Sequence, residues 1–272
     1  MGGSDHGGHV RRVVKMIVAS LALGWRLSIF FLSGVAAGIS NGVAGGGTFI
    51  TFPTLLAMGV PALAANMTTS VGIVPSFAGG LRNLRREYEA QREHARTLIG
   101  LSVAGTLVGC AALLSGAPTT FEAVVPWLIG AATLLFAAAP YLTARLAHVD
   151  HRHPIRRAGL YVGVTLIAVY GGYFGAGLGI MLLAVTALTL PLEIHELQTL
   201  RRLLSVVISA TAALVFIVRG HLALEALYPL LGGTLVGGWI GALLVDRLSA
   251  TWVRALVIVT GLVTTVKLLV SG

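Results

Sequence analysis

The sequence predicts an all-α integral membrane protein of about eight transmembrane helices, arranged as two four-helix repeats, with the first helix of each repeat broken at a glycine cluster. Three observations predict it. Of the 272 residues, 56% are hydrophobic and only 11% are charged, a balance that belongs in a bilayer rather than a soluble core. Apolar segments recur at about 27–58, 62–81, 97–115, 121–142, 158–190, 199–218, 226–245 and 251–270, most of them near the ~20 residues that cross a hydrocarbon core. Finally, two glycine clusters, Gly45-Gly46-Gly47 and Gly171 to Gly179, interrupt the two longest of these segments at matching places.

The chain begins with a Gly- and His-rich stretch, residues 1–9, expected to be unstructured, with His6 and His9 as solvated tail residues. From Val10 to Trp25 a basic, moderately apolar segment carries Arg11, Arg12 and Lys15, without a clean small-residue cleavage site. It is expected to be an interfacial helix leading into the first span, so that residues 1–26 form a tail and anchor. The first repeat is expected over 27–145, a cytoplasmic linker over 146–157, and the second repeat over 158–272. Segments 27–58 and 158–190 would be about 45–50 Å long as straight helices, against a ~30 Å hydrocarbon core. Each glycine costs roughly 1 kcal/mol of helix propensity relative to Ala. Each long segment therefore reads as two helical pieces with an unwound joint. The small-residue rows Gly105-xxx-Gly109 and Gly233-xxx-Gly237-xxx-Gly241 read as helix-packing surfaces.

Charge sets the expected orientation. The formal charge is +9, but the basic residues form short clusters between apolar segments, as in cytoplasmic loops. No basic patch with interleaved aromatics appears, so nucleic acid is not an expected partner. Arg82, Arg85, Arg86, Arg92 and Arg96 fill one connection, and Arg145, Arg152, Arg156 and Arg157 another. With eight crossings, both termini and both arginine connections would face the cytoplasm. Four spans per repeat would give the copies one orientation, related by an axis along the membrane normal.

Broken backbone survives at bilayer depth only where protein buries it or where it lines a watery cavity, and paired glycine-interrupted spans point to a transporter's binding site. Half-helix amino termini present unpaired N–H groups and the positive end of a dipole, which suit an anion. Gly45, Gly46, Gly47 and Thr48 in one joint, with Gly175 and Gly177 in the other, are the candidate backbone donors. Asn66, Thr69 and Ser70 open the second segment with hydrogen-bonding side chains, and Gln198, Arg201 and Arg202 hold the equivalent place in the second half. An ionisable residue inside an apolar run is a functional candidate, and the guanidinium fork suits an oxyanion. The alternative is that the arginines reach to the interface near Glu193 and Glu196.

Other motifs fail. No Gly-Lys-Ser/Thr follows Gly47, so the cluster is not a phosphate loop. His195-Glu196 opens like a zinc-protease helix, but Thr199 stands where the second histidine belongs. His148, Asp150, His151 and His153 read as a solvated loop, not a metal site. The single cysteine, Cys110, allows no internal disulfide. No activated Ser or Cys with a partnered base is present, so neither an enzyme nor a cofactor is expected.

With these residues in hand, the chain resembles the sulfite exporter TauE/SafE family of membrane transporters. Gly42-Val43-Ala44-Gly45-Gly46-Gly47-Thr48-Phe49, Pro53, Ala65-Asn66 and Thr69-Ser70 are similar to the family's first-repeat motif, and Gly172-Tyr173-Phe174-Gly175-Ala176-Gly177-Leu178-Gly179 to its second. Family members often carry a Lys-Asn pair where this chain has Arg201-Arg202. The resemblance implies a duplicated four-span unit that moves sulfite or an organosulfonate across the cytoplasmic membrane. A coupling ion, H+ or Na+, would accompany a secondary transporter, and homo-oligomer formation stays open. An importer, a carrier of another small solute, or a membrane scaffold or enzyme without transport are the alternatives.

Overall fold

The computed structural model describes residues 6–43, 45–80, 89, 92–146, 155–244 and 250–271. All regular structure among them is helical: α1 (His6–Val43), α2 (Thr48–Ala57), α3 (Ala62–Gly72), a 3₁₀ segment (Val74–Gly80), α4 (Arg92–Ser115), α5 (Pro118–Leu146), α6 (Ile155–Tyr173), α7 (Leu178–Thr189), α8 (Ile194–Arg219), α9 (Leu224–Leu244) and α10 (Ala250–Ser271). Among the described residues, six stretches are long and apolar enough to cross a membrane: Leu23–Val43, Ala95–Ser115, Pro118–Ala139, Ile194–Arg219, Leu224–Leu244 and Thr251–Val270. The protein is a multi-pass membrane protein. Its start departs from expectation: α1 is continuous from His6, so part of the stretch expected to be unstructured is helical, and no break separates an anchor from the first span. The segment expected at 62–81 is also no single rod, but the short α3 followed by the 3₁₀ segment. The histidine-bearing stretch 148–153 and Arg82, Arg85 and Arg86 lie outside the described residues.

The glycine clusters do more than unwind a span. They reverse the chain. Residues past the first joint return along α1, with Gly47 against Ala37 and the Arg26 guanidinium donating to Met58 O at 3.4 Å. The second hairpin runs back the same way, placing Gly171 beside Leu178, Gly163 beside Val185 and Gly159 beside Thr189. Such reversals need backbone that L side chains rarely adopt, and Gly45, Gly46, Gly175 and Gly177 supply it at φ of 78°, 90°, 79° and 73°. α2 and α7, at 10 and 12 residues, are too short to cross a hydrocarbon core by themselves. The expectation of one broken span per repeat is therefore replaced by a re-entrant helical hairpin.

Helix direction follows from the close approaches. α1 and α9 run parallel, with Gly34, Gly38 and Gly42 set against Gly233, Gly238 and Gly241. α3 and the 3₁₀ segment run parallel to α9: Ala223 N–H donates to Thr68 Oγ1 at 2.9 Å, the Thr234 hydroxyl to Gly72 O at 2.6 Å, and Ser76 touches Gly238. α4 and α6 are parallel to each other through Gly105, Gly109 and Gly172. α8 is antiparallel to α3 and the 3₁₀ segment: its first turns share a cavity wall with Ile73 and Ser76, while its carboxyl end at Gly220 meets Met67 in the middle of α3. α1 and α6 thus enter from opposite faces. The expectation that the two halves share one orientation fails because each hairpin returns to the face it left and leaves three net crossings per half, an odd number.

A consequence is a sorting of charge. The end of the 3₁₀ segment, the start of α4, the end of α5 and the start of α6 share one face, called here the arginine face, where Arg96 and Arg157 are exposed. The span start of α1 at Leu23, the end of α2, the turn between α8 and α9, and the end of α10 share the other, the terminal face. The span start of α1 and the end of α10 therefore lie on the face opposite the exposed Arg96 and Arg157, where the eight-crossing reading expects them together.

Packing explains why the small residues are where they are. A side chain at Gly38 would run into the backbone of Thr234, Gly237 and Gly238, and one at Gly109 into Val169. These rows let helix backbones touch, as their spacing predicted. Phe52 of the first hairpin meets Phe174 of the second edge-on at 5.5 Å, and Phe49 packs on Phe136 of α5 at 5.7 Å. Large exposed aromatics ring the outside, Trp25 and Tyr228 near the terminal face and Tyr141, Trp239 and Trp252 near the other, as in the aromatic belts of bilayer proteins.

Candidate functional site

Between the two hairpin tips lies a cavity of about 290 Å³. Joint one contributes Gly45, Gly46 and Thr48, joint two Gly175, Gly177 and Gly179, and α8 contributes Arg201, Arg202, Ser205 and Ser209. Asn41 of α1, Ile73, Ser76 and Phe77 of the 3₁₀ region, and Gly238 and Ala242 of α9 complete the wall. These last residues lie in the halves of their elements toward the arginine face.

The joints are held open by specific bonds. Asn41 accepts from Gly47 N–H at 2.9 Å and donates through Nδ2 to Ser76 Oγ at 2.9 Å, while Ser76 Oγ donates to Ile73 O at 2.6 Å. One amide thus ties the end of α1, the first joint and the 3₁₀ segment together. Ser40 Oγ donates to Gly45 O at 3.1 Å, and Tyr170 OH to Ala176 O at 2.7 Å. The first N–H groups of α2 and α7 have no carbonyl one turn back within their own helices. Among the described residues, the N–H groups of Gly46, Gly177 and Gly179 carry no hydrogen bond.

Of the two arginines in the cavity wall, Arg201 is the one lodged against both joints. A Cβ at Gly179 would lie 3.3 Å from its Nη1, and one at Gly45 3.8 Å from the same atom. The guanidinium is therefore lodged between the two joints. Its Nε is buried without a hydrogen-bond partner. It does not reach for the carboxylates at the start of α8, where Glu193 and Glu196 close a capping box on the helix end. Fixed N–H donors at two helix starts and an unpaired guanidinium converge on one concave space, an arrangement that can receive a small oxyanion.

Of the candidate residues, Gly45, Gly46, Thr48, Gly175, Gly177, Arg201 and Arg202 line this cavity. Gly47 is buried behind it, bonded to Asn41. Asn66, Thr69 and Ser70 are elsewhere on α3: Asn66 Nδ2 donates to Tyr173 O at 2.9 Å and Ser70 Oγ to Asn66 O at 2.9 Å. Gln198 is half-buried on α8 outside the lining. Asn41, Ser76, Ser205 and Ser209 were missed from sequence. The two α8 serines had a readable signal, because Arg201, Ser205 and Ser209 are spaced four apart and share a helix face. Asn41 and Ser76 had none, since only the hairpin brings them together.

Re-entrant hairpins meeting at a buried polar cavity inside a multi-pass helical bundle define a membrane transporter. The chain belongs to the sulfite exporter TauE/SafE family, whose model matches residues 30–268. It is 25% identical over 248 residues to a probable membrane transporter protein of Haemophilus influenzae, covering 89% of this chain and 94% of that protein. A probable membrane transporter protein, YfcA, of Escherichia coli is 22% identical over 249 residues, covering 89% of each. Another, ORF9 of Sinorhizobium sp, is 29% identical over 155 residues, covering 56% of this chain and 58% of that protein. No solved structure matches the chain.

Proposed function

We propose that the protein is a secondary transporter that exports a small sulfur-containing oxyanion, sulfite or an organosulfonate, across the cytoplasmic membrane. The observation that carries this is Arg201, a guanidinium with a buried, unpartnered Nε held between two glycine joints. An unsatisfied buried donor is costly, and an oxyanion would supply the missing acceptor while also meeting the N–H groups of Gly46, Gly177 and Gly179. A charge-assisted contact of this kind is worth roughly 1.5–3 kcal/mol. Arg202, Thr48, Ser205 and Ser209 would complete the substrate shell. Export is favoured by the family's description and by a cavity lying toward the arginine face, which the positive-inside rule makes cytoplasmic. In this reading the chain ends face the opposite compartment.

We read the chain as two copies of one unit, 27–145 and 158–272, related by a twofold axis in the membrane plane. Support comes from matched packing: α1 lies on α9 as α6 lies on α4, and α2 meets α10 as α7 meets α5. The test is flux. Purified protein in proteoliposomes should move labelled sulfite or an organosulfonate in preference to sulfate and chloride, and Arg201→Gln should abolish this. Equal rates for liposomes with and without protein, for every one of these anions, would sink the proposal.

A further inference from the structure

The cavity leaves one polar cluster of the first half unused. Asn66 and Thr69 of α3 are each 1% exposed, and Asn66 Oδ1 and Thr69 Oγ1 are both buried without a hydrogen-bond partner. Buried polar atoms are normally satisfied, so two orphans in one place call for an explanation. The residues are three apart on a helix and so present their side chains to a common face. The same Asn66 amide donates to Tyr173 O at 2.9 Å, which fixes its oxygen beside the carboxyl end of α6. There Tyr173 O, already met by Asn66 Nδ2, keeps a second lone pair, and the helix dipole is negative.

The twofold relation sharpens the contrast. Thr69 is the eighth residue of α3, as Arg201 is the eighth of α8. In the second half that place holds a fixed positive charge between the joints; in the first half it holds neutral oxygens beside the end of α6. Neutral oxygens with helix-end carbonyls are the donor set that suits a sodium ion in a broken-helix carrier. No cluster of three or more His, Cys, Asp or Glu exists among the described residues, which argues against a divalent ion. Neither Asn nor Thr titrates, which argues against a proton at this place.

We infer that Asn66 Oδ1, Thr69 Oγ1 and the carboxyl-end carbonyls of α6 form a sodium site, rather than part of the anion shell. This rests on the transporter reading for its role as the coupling ion, but not for the binding itself. The test uses purified protein without substrate, melted in NaCl, KCl or choline chloride at equal ionic strength. Saturating NaCl should raise the melting temperature by roughly 2–4 °C over choline, with KCl close to choline. Thr69→Val should lose that shift and Thr69→Ser should keep it. A wild-type protein that melts alike in all three salts overturns the site, and so does Thr69→Val responding to NaCl like wild type. Should Thr69→Val not fold, the wild-type salt comparison decides alone. Sodium-independent anion flux in a protein with no sodium shift removes this site and leaves the transporter standing; a sodium shift without any anion flux does the reverse.

Discussion

At Arg201 one side chain separates two kinds of site. Arg201→Gln removes the charge and the fork, and should weaken anion binding about ten- to a hundredfold, from the roughly 1.5–3 kcal/mol of a charge-assisted bond. Arg201→Lys keeps the charge but loses the planar donors, and should fall between wild type and Gln. Calorimetry on purified variants, with a thermal melt to check folding, measures both; wild-type affinity in Arg201→Gln would leave the backbone N–H groups as the whole site. Asn41 gives a crossed prediction. Asn41→Ala loses the bonds to Gly47 and Ser76, each worth about 0.5–1.5 kcal/mol. Asn41→Asp retains an acceptor for Gly47 N–H but places a carboxylate in the cavity wall. Asp should therefore melt above Ala and yet bind the anion more weakly, an inversion that a purely structural asparagine would not produce. The Arg201–Arg202 pair stood out from its place in an apolar run, but which of the two lies between the joints did not. Asn41, a half-buried amide six residues before Gly47, was not, because its role depends on a chain reversal that no spacing records.

At the scale of elements, the joints carry the argument. Gly46 adopts φ +90°, and a Cβ there would lie 2.9 Å from the Phe136 ring. Gly46→Ala should then cost about 1–3 kcal/mol from a left-handed backbone alone, and abolish flux while membrane insertion persists, since no polar group is added. Gly177→Leu, at φ +73° with Ala132 and Phe49 near its Cβ position, should behave alike. Gly24→Ala and Gly100→Ala, with nothing within 4 Å of the added carbon, are controls expected to melt and transport as wild type. Melting curves and proteoliposome flux on the four variants check this; normal transport by both joint variants would dissociate the joints from the site. The existence of these joints was readable from glycine spacing. Their sense was not: the same three glycines permit either a kink that continues a span or a turn that reverses it. The choice is made by what α2 packs against, with Phe52 on Phe174 and Gly47 on Ala37.

For the whole molecule, the hairpin makes a prediction that a continuous broken span does not. Gly24 and Ala57 flank the first hairpin on the terminal face, so cysteines placed there, in a background with buried Cys110 replaced by Ala, should label from one side of the membrane. Arg96→Cys should label from the other. Labelling of the Gly24 and Ala57 positions from opposite sides would restore a crossing through the joint. Composition, segment length and glycine spacing were enough to determine an α-helical membrane protein with a glycine-rich centre and to single out the Arg201–Arg202 pair, because bilayer thickness and backbone satisfaction act on local sequence. Which face each helix enters from, and whether Asn66 and Thr69 share a site with Arg201, were decided only in three dimensions. A hairpin's return changes the parity of every crossing after it, and that return is set by contacts such as Arg26 with Met58, between residues far apart in the chain.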